Sequence, residues 1–257
     1  MSKSSPGTRA FRRQAEKTAR QERSIQRKID QTGKRKSDTK PHAMQAGARI
    51  YPEPRFPGQH LRKPGRESDL KLTPMYEAPG YRGSDKLRDM VALITGGDSG
   101  IGRAVAVLFA REGADVAIAY LNEHRDAAVT KRAVEKEGRR CILLSGDIAD
   151  AAFCRSAVKK TVDAFGKLDV LVNNAAFQEH VDAFEDLSDE HFDRTIKTNL
   201  YGYFYMAKAA VPVMQKGSSI VMTGSVTGLL RQQEPAGLFD DEGRHSRLCT
   251  LPRNPSR

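Results

Sequence analysis

The sequence lacks several features that mark other classes of protein. It contains no tryptophan and only three cysteines, Cys141, Cys154 and Cys249, which are too scattered for a disulfide framework or a thiol metal site. It has no run of about 18 apolar residues, so no transmembrane helix is predicted. The first residues include no apolar stretch of the kind found in secretory signals. A cytoplasmic protein without a metal site is therefore expected.

The first 40 residues have few acidic and few large apolar side chains. Residues 1–40 hold 13 lysines and arginines against four acids, and so carry most of the net charge of +11. With so little apolar surface, this segment is predicted to be a basic disordered arm. A charged helix over Ala10–Ile29 is the alternative, because arginine, glutamine, glutamate and lysine propagate helices well. A basic arm could also bind nucleic acid or another anionic surface.

The composition changes after the arm. Residues 41–86 contain seven prolines, which forbid helix and interrupt strands, so an extended leader over the domain surface is predicted. Between residues 87 and 228, short apolar runs alternate with helical patterns, which indicates an α/β domain with a Rossmann-like, doubly wound parallel sheet. Strands and helices are predicted at Met90–Thr95, Ile101–Glu112, Asp115–Leu121, Arg125–Gly138, Cys141–Ser145, Ala151–Phe165, Leu168–Asn173, Asp189–Met214 and Ser218–Thr223.

A glycine-rich turn directly follows the first predicted strand and opens the next helix. At such a junction, free backbone N–H groups and the positive end of the helix dipole face a pyrophosphate. Gly96 allows the tight turn, while Gly100 and Gly102 lack the Cβ atoms that would block the phosphates and the helix–sheet contact. The predicted dinucleotide site comprises Thr95, Gly96, Asp98, Ser99, Gly100, Ile101 and Gly102.

These glycines are spaced Gly-x-x-x-Gly-x-Gly, which differs from the Gly-x-Gly-x-x-Gly of ordinary dinucleotide domains. In this spacing and in the motifs that follow, residues 85–228 resemble the classical short-chain dehydrogenase/reductase family. The stretch GGDSGIGRAVAVLFAREGADVAIAYLNE and the leader segment YPEPRFPGQH are similar to its general stress protein oxidoreductase branch. The resemblance implies an NAD(P)-dependent oxidoreductase of alcohols, aldehydes or ketones that assembles as a tetramer.

The resemblance also assigns the rest of the cofactor site. Asp147 would meet the adenine amino group, and the backbone of Ile148 would meet the adenine ring. The motif Asn-Asn-Ala-Ala, where the family has Asn-Asn-Ala-Gly, would border the cofactor. It comprises Asn173, Asn174, Ala175 and Ala176, of which the first three are assigned to the site.

The choice between NADP and NAD depends on the end of the second strand. An acidic residue there would hold the adenosine ribose of NAD and repel the extra phosphate of NADP. The segment Tyr120-Leu121-Asn122 contains no acid, and Tyr120 is assigned to the cofactor site. No basic residue stands at Ser99 or Leu121, so Arg103 and Arg125 are candidate substitutes. A slight preference for NADP is expected, with NAD left open.

Two catalytic residues are present and two are absent. By resemblance, Ser225 would bind the substrate carbonyl oxygen, and Asn199 would hold a water at a helix distortion. The family's tyrosine, the general acid–base, belongs 13 residues after this serine, and its lysine four residues further on. Leu238 and Glu242 occupy these positions.

Residues 229–257 have no helical or strand periodicity and are rich in arginine and proline, which suggests translation in the wrong frame. One permitted coding of Leu229–Ser256, read one base later, gives YYGNKSLLDYSTTKGGIHAFARSLATH. The tyrosine of YSTTK then falls 13 residues after Ser225. We therefore predict an out-of-frame, unstructured tail, a sheet truncated after strand five, and an inactive 257-residue chain. The alternative is a non-catalytic nucleotide-binding protein whose basic arm binds nucleic acid.

Overall fold

The computed structural model describes residues 6–32, 58–181 and 183–225. Its centre is a five-stranded parallel sheet of order β3-β2-β1-β4-β5, which confirms the predicted doubly wound α/β fold. Within these residues, no helix is long and apolar enough to cross a membrane. The elements are α1 (Pro6–Thr32), β1 (Val91–Thr95), α2 (Gly100–Arg111), β2 (Asp115–Tyr120), α3 (His124–Lys136), β3 (Cys141–Ser145), α4 (Ala151–Phe165), β4 (Val170–Asn173), α5 (Asp189–Ile196), α6 (Gly202–Ala210) and β5 (Ser219–Met222).

Strands β1 and β2 lie inside the sheet, and every residue of both is buried. Successive side chains of a strand point to opposite faces. Leu93 joins one core cluster with Phe153 of α4 and Met206 of α6, whereas Ile94 joins the other with Val134 of α3. Burial on both faces explains why these strands are continuous apolar runs in the sequence.

The predicted helix Asp189–Met214 is observed in several parts. It begins as α5 after Ser188, whose hydroxyl caps the first turn, and passes through a π-helical turn at Lys197–Tyr201 into α6. A 3-10 turn at Val211–Val213 follows. The regular helix ends there because Pro212 has no N–H to donate.

The expectation of a disordered arm is wrong for residues 6–32, which form the 27-residue helix α1. Along one face of α1, Ala15, Ala19 and Ile25 are at most 1% exposed, and the polar Thr18 and Glu22 are also buried. The alanines allow close approach to the domain, and the polar side chains find partners more than a hundred residues away. Composition did not reveal this packing because the buried face is small and polar. Residues 33–40 of the predicted arm lie outside the described residues.

The leader runs over the domain surface from residue 58 onward, with one 3-10 turn at Glu67–Asp69. Glu112 anchors it by accepting the backbone N–H groups of Ser84 at 3.0 Å and Lys86 at 2.9 Å. The Tyr81 hydroxyl and these N–H groups lower the pKa of Glu112 to about 2. Residues 41–57 and the predicted tail, 229–257, lie outside the described residues, so the division into arm, leader, domain and tail stays a prediction.

Candidate functional site

A cavity of about 330 Å³ opens at the carboxyl ends of β1, β2, β3 and β4. The strand order reverses between β1 and β4, and ligands of open parallel sheets bind at such a switch point. Most residues predicted to bind the cofactor line this cleft, namely Gly96, Asp98, Ser99, Ile101, Tyr120, Asp147, Ile148, Asn174 and Ala175. The remaining predicted residues, Thr95, Gly100, Gly102 and Asn173, adjoin these in the chain and are not lining residues.

The glycine-rich turn packs against the loop that follows β4. Gly96 has a φ of 63°, which favours glycine, and a Cβ added to it would lie 2.9 Å from the Cα of Ala175. A Cβ added to Gly102 would overlap the carbonyl oxygen of Gly96. The close backbone approach therefore excludes larger residues at both glycines. Ser99 and Ile101, at the amino-terminal end of α2, line the cleft on this side.

Thr95 joins the end of β1 to the loop after β4. Its hydroxyl oxygen accepts the backbone N–H groups of Asn174 at 2.8 Å and Ala175 at 3.0 Å. In return, Nδ2 of Asn174 donates to the carbonyl oxygens of Thr95 at 3.1 Å and Gly96 at 3.3 Å. Asn173 is fully buried beneath this loop and donates to a backbone carbonyl of α6 at 3.4 Å. These hydrogen bonds hold the floor of the cleft in one geometry.

Two buried carboxyl groups, Asp98 and Glu123, line the cleft near the end of β2. Burial raises the pKa of Asp98 to about 6. Burial, assisted by the nearby charge of Asp98, raises the pKa of Glu123 to about 8, so Glu123 is mostly protonated at pH 7. Glu123 is a site residue that sequence reasoning missed. It stands one residue beyond the Tyr120-Leu121-Asn122 segment from which the cofactor preference is predicted.

Asp147 is held by partners that the sequence did not indicate. Its carboxylate accepts the Thr18 hydroxyl at 2.7 Å and Nη1 of Arg194 at 3.0 Å. Arg194 also donates to Glu22 at 2.9 and 3.1 Å. All four side chains are buried, and burial raises the pKa of Glu22 while the Arg194 charge opposes that rise.

Helix α1 thus forms the wall of the cleft beside Asp147, and Glu22 is among the lining residues. An adenine amino group at Asp147 would share its carboxylate with Thr18 and Arg194. The helical spacing of Thr18 and Glu22 within Ala10–Ile29 was the available signal in the sequence, but nothing there identified their partners.

The suggestion that Arg103 binds a cofactor phosphate is wrong. Arg103 is 3% exposed and forms an ion pair with Glu67 of the leader. Its Nε and Nη2 donate to the carbonyl oxygen of Asp98 at 3.1 and 2.7 Å. Arg103 therefore stabilises the glycine-rich turn through these hydrogen bonds to Asp98. Arg125 is exposed and lines a neighbouring cavity with Asn122.

A smaller cavity of about 50 Å³ adjoins the cleft, and both are lined by Asn174 and Ala176. The structure brings Asn199 and Ser225, the two residues assigned to catalysis, to this second cavity. Asn199 lies in the π-helical turn, at the helix distortion expected for it. Its Oδ1 accepts the N–H of Phe177 at 2.8 Å, and its Nδ2 donates to the Phe177 carbonyl at 2.9 Å.

The chain is similar to known proteins. Residues 96–236 match the family model described as Enoyl-(Acyl carrier protein) reductase. General stress protein 39 of Bacillus subtilis is 50% identical over 177 residues, which make up 68% of this chain and 62% of that protein. The chain belongs to the short-chain dehydrogenase/reductase family. It spans less than two thirds of the length of this curated relative.

Two solved structures of short-chain dehydrogenase/reductase type resemble the chain. A short-chain dehydrogenase from Burkholderia cenocepacia, in complex with NADP, is 36% identical with a TM-score of 0.56, over 58% of this chain and 60% of that one. Carveol dehydrogenase from Mycobacterium avium, in complex with NAD, is 31% identical with a TM-score of 0.55, over 59% of each chain. Both cofactor types therefore occur among structural relatives of this short-chain dehydrogenase/reductase.

Proposed function

We propose that the intact protein is an NAD(P)-dependent oxidoreductase that transfers a hydride between the nicotinamide and an alcohol or carbonyl group. The observation that carries this proposal is the adjoining pair of cavities at the carboxyl ends of the strands. One is walled by the glycine-rich turn, and the other contains Asn199 and Ser225. Because Asn174 and Ala176 line both, a substrate group at Ser225 would be next to the nucleotide cleft.

The residues of the cleft fit a dinucleotide. Its volume of about 330 Å³ lies in the range of about 300–1,000 Å³ usual for small-molecule sites. Neither Gly96 nor Gly102 has room for a Cβ, so glycine at both positions is needed to keep the turn packed against the loop after β4. The cofactor would supply the hydride. The turn would hold the pyrophosphate, and Asp147 with Ile148 would hold the adenine.

Ser225 and Asn199 are assigned different tasks in this proposal. The Ser225 hydroxyl would donate a hydrogen bond to the substrate oxygen, where negative charge develops during reduction. Asn199 would act as a positioning residue, since its amide holds the backbone of Phe177 at the cavity wall. Leu238 has no exchangeable side-chain proton and Glu242 no positive charge, so neither replaces the tyrosine and lysine of the family.

We infer that residues 229–257 are out of frame and that restoring the frame after Gly228 restores the enzyme. Resequencing the gene at that codon tests the first part. For the second, oxidation of NADPH and NADH should be followed with small aldehydes and ketones, for both chains. The frame-restored chain is expected to be faster by at least about 10²–10⁴-fold, the usual contribution of a positioned acid–base group.

A matched variant separates binding from chemistry. In the frame-restored chain, Ser225→Ala should lower turnover by about 10²–10³-fold, as expected for loss of one donor to a developing oxyanion. Its affinity for the nucleotide, measured by calorimetry, should stay within twofold. Comparable turnover by the 257-residue chain would show that the tyrosine and lysine are not needed, and would refute the assignment.

The resemblance further suggests a tetramer for the intact parent and a cytoplasmic location, and both remain proposals. Tyr201, at the end of the π-helical turn, and Phe204, in α6, are exposed and offer apolar surface for such an interface. The alternative function, a nucleic-acid-binding arm, is disfavoured because one face of α1 is buried against the domain. Salt-sensitive binding of duplex DNA that disappears on deletion of residues 1–40 would revive it.

A further inference from the structure

Another cavity, of about 360 Å³, lies beside the nucleotide cleft at the end of β2. Four cationic side chains from outside the α/β domain line it, together with two residues that follow β2. These six are Arg23 of α1, Arg62, Lys63 and Arg66 of the leader, and Asn122 and Glu123. Lys63 and Glu123 also line the nucleotide cleft, so the two cavities adjoin.

Two of these cations have neither an ion pair nor a side-chain hydrogen bond among the residues that the structure describes. Lys63 is committed to Glu179 at 3.2 Å and to the Gln178 carbonyl at 2.6 Å. The side chains of Arg62 and Arg66 are exposed, and within the described ranges neither forms an ion pair or a hydrogen bond. The cluster therefore retains the capacity to bind an anion.

The cationic groups also repel one another. Burial and then the charge of Arg62 lower the pKa of Arg23, and Arg66 adds to the effect. Arg23 is turned toward the leader, where its Nη1 donates to the Lys63 carbonyl at 3.4 Å. A dianionic phosphate between these guanidinium groups would remove the repulsion, and guanidinium is well matched to phosphate geometry.

The acidic groups at this cavity do not cancel its positive charge. Two acids line it, and of these Asp69 is exposed. Glu123 is the other lining acid, and burial raises its pKa to about 8, so it is mostly neutral at pH 7 and can donate a hydrogen bond. The four cationic side chains that line the cavity therefore outnumber its two acids, one of which is mostly neutral at pH 7.

The position of the cavity indicates which anion it fits. In dinucleotide-binding domains, the residues at the end of the second strand meet the adenosine ribose, whose 2′ position carries the extra phosphate of NADP. Asn122 and Glu123 occupy that place here, directly after β2. Arg103, on the domain itself, is already paired with Glu67.

We propose that Arg62 and Arg66 of the leader, assisted by Arg23 of α1, form the binding site for the 2′-phosphate of NADP. This inference rests on the proposed function as an NAD(P)-dependent oxidoreductase. The segments that precede the α/β domain, and not the strand-end residue usual for the fold, then set the cofactor preference.

The test is calorimetric binding to the full 257-residue chain, with NADP, NAD, 2′,5′-ADP and 5′-AMP as probes. The unmodified chain should bind NADP at least tenfold more tightly than NAD, and 2′,5′-ADP at least tenfold more tightly than 5′-AMP. The double variant Arg62→Gln/Arg66→Gln should lose about tenfold or more of the affinity for both phosphorylated probes, the effect of losing charge-assisted hydrogen bonds. Its affinity for NAD and 5′-AMP should stay within twofold.

Arg82→Gln/Arg132→Gln is the matched control, because it removes two exposed arginines that do not line this cavity. It should leave all four affinities unchanged. The charge reversal Arg66→Glu should turn the preference toward NAD. If NAD binds but NADP binds no more tightly, or if the double variant weakens NAD and NADP equally, the phosphate site is refuted alone. If none of the four probes binds, both the proposed function and the phosphate site are refuted.

Discussion

Strands β2 and β5 belong to the same sheet but have opposite surroundings. Every residue of β2 is buried, with β1 and β3 on either side and helices above and below. Every residue of β5 is exposed: Ile220 is 37%, Val221 46% and Met222 52% exposed. Among the described residues, β5 pairs with β4 alone and is the edge of the sheet.

This difference coincides with the division between nucleotide binding and catalysis in the proposed enzyme. On the side of the sheet that would bind the nucleotide, the described residues pack against one another, and hydrogen bonds join Thr95 to Asn174. On the other side of the sheet, Ser225 follows the exposed edge strand β5. Substitutions should therefore be costly on the nucleotide side and mild on β5.

The largest effect is expected for Gly102→Ala. The added methyl would overlap the carbonyl oxygen of Gly96, and the backbone cannot move without opening the turn. We expect a loss of more than about 4 kcal/mol in the free energy of unfolding, in the range reserved for severe defects. Chemical denaturation measures this, and calorimetry should show loss of nucleotide binding. Gly80→Ala is the control, because no atom lies within 4 Å of a Cβ there; equal stability of the two variants would contradict the prediction.

Arg194→Met should have the next largest effect. It leaves the carboxylates of Glu22 and Asp147 buried without their positive partner, at a cost of about 3–5 kcal/mol in unfolding free energy. Adding Glu22→Gln should recover part of the loss. Lys197→Met, which breaks an exposed pair with Asp193, should cost about 0.5 kcal/mol or less. If Arg194→Met is as mild as Lys197→Met, α1 is not docked as described.

The clearest comparison of stability costs is between two residues that pair across β4 and β5. Leu171 is fully buried, whereas its partner in register, Ile220, is 37% exposed. Leu171→Ala should lower the free energy of unfolding by about 2–5 kcal/mol, since it removes buried methyl groups and leaves a cavity. Ile220→Ala should cost less than half as much. Equal losses in denaturant titrations would mean that β5 is covered in solution.

The last prediction concerns pH, where the change in stability is small for each pH unit and accumulates over several. The pKa of Glu123 is raised from 4.5 to about 8, so the folded chain keeps a proton that the unfolded chain releases. Stability from this group is complete below about pH 4.5 and is lost as pH rises toward 8, at about 1 kcal/mol per pH unit. Glu123→Gln should flatten that slope in denaturation measured from pH 5 to pH 8. Glu185→Gln, at an exposed acid, should leave it unchanged, and a wild-type slope of zero would refute the buried, protonated state.

Much of the site could be predicted because its signals are local. The strand bounds follow from short apolar runs, and the glycine spacing alone indicates where a backbone must come close to another. Asn199 and Ser225 were assigned by motif, and the structure places both at one cavity. Glu123 was missed although it is only three residues beyond Tyr120, because its importance depends on burial and not on position in a motif.

The sequence by itself specifies the alternation of apolar runs and helical patterns, and with it the parallel sheet and the glycine-rich turn at its edge. Periodicity of 2 or 3.6 residues is a property of neighbouring residues, so it can be read along the chain. Only the tertiary structure decided that α1 docks on the domain, that Arg103 is paired with Glu67, and that Arg62 and Arg66 stand at the end of β2. These contacts join residues far apart in the chain. A buried polar side chain needs a hydrogen-bond partner, and only the folded chain brings such distant partners together.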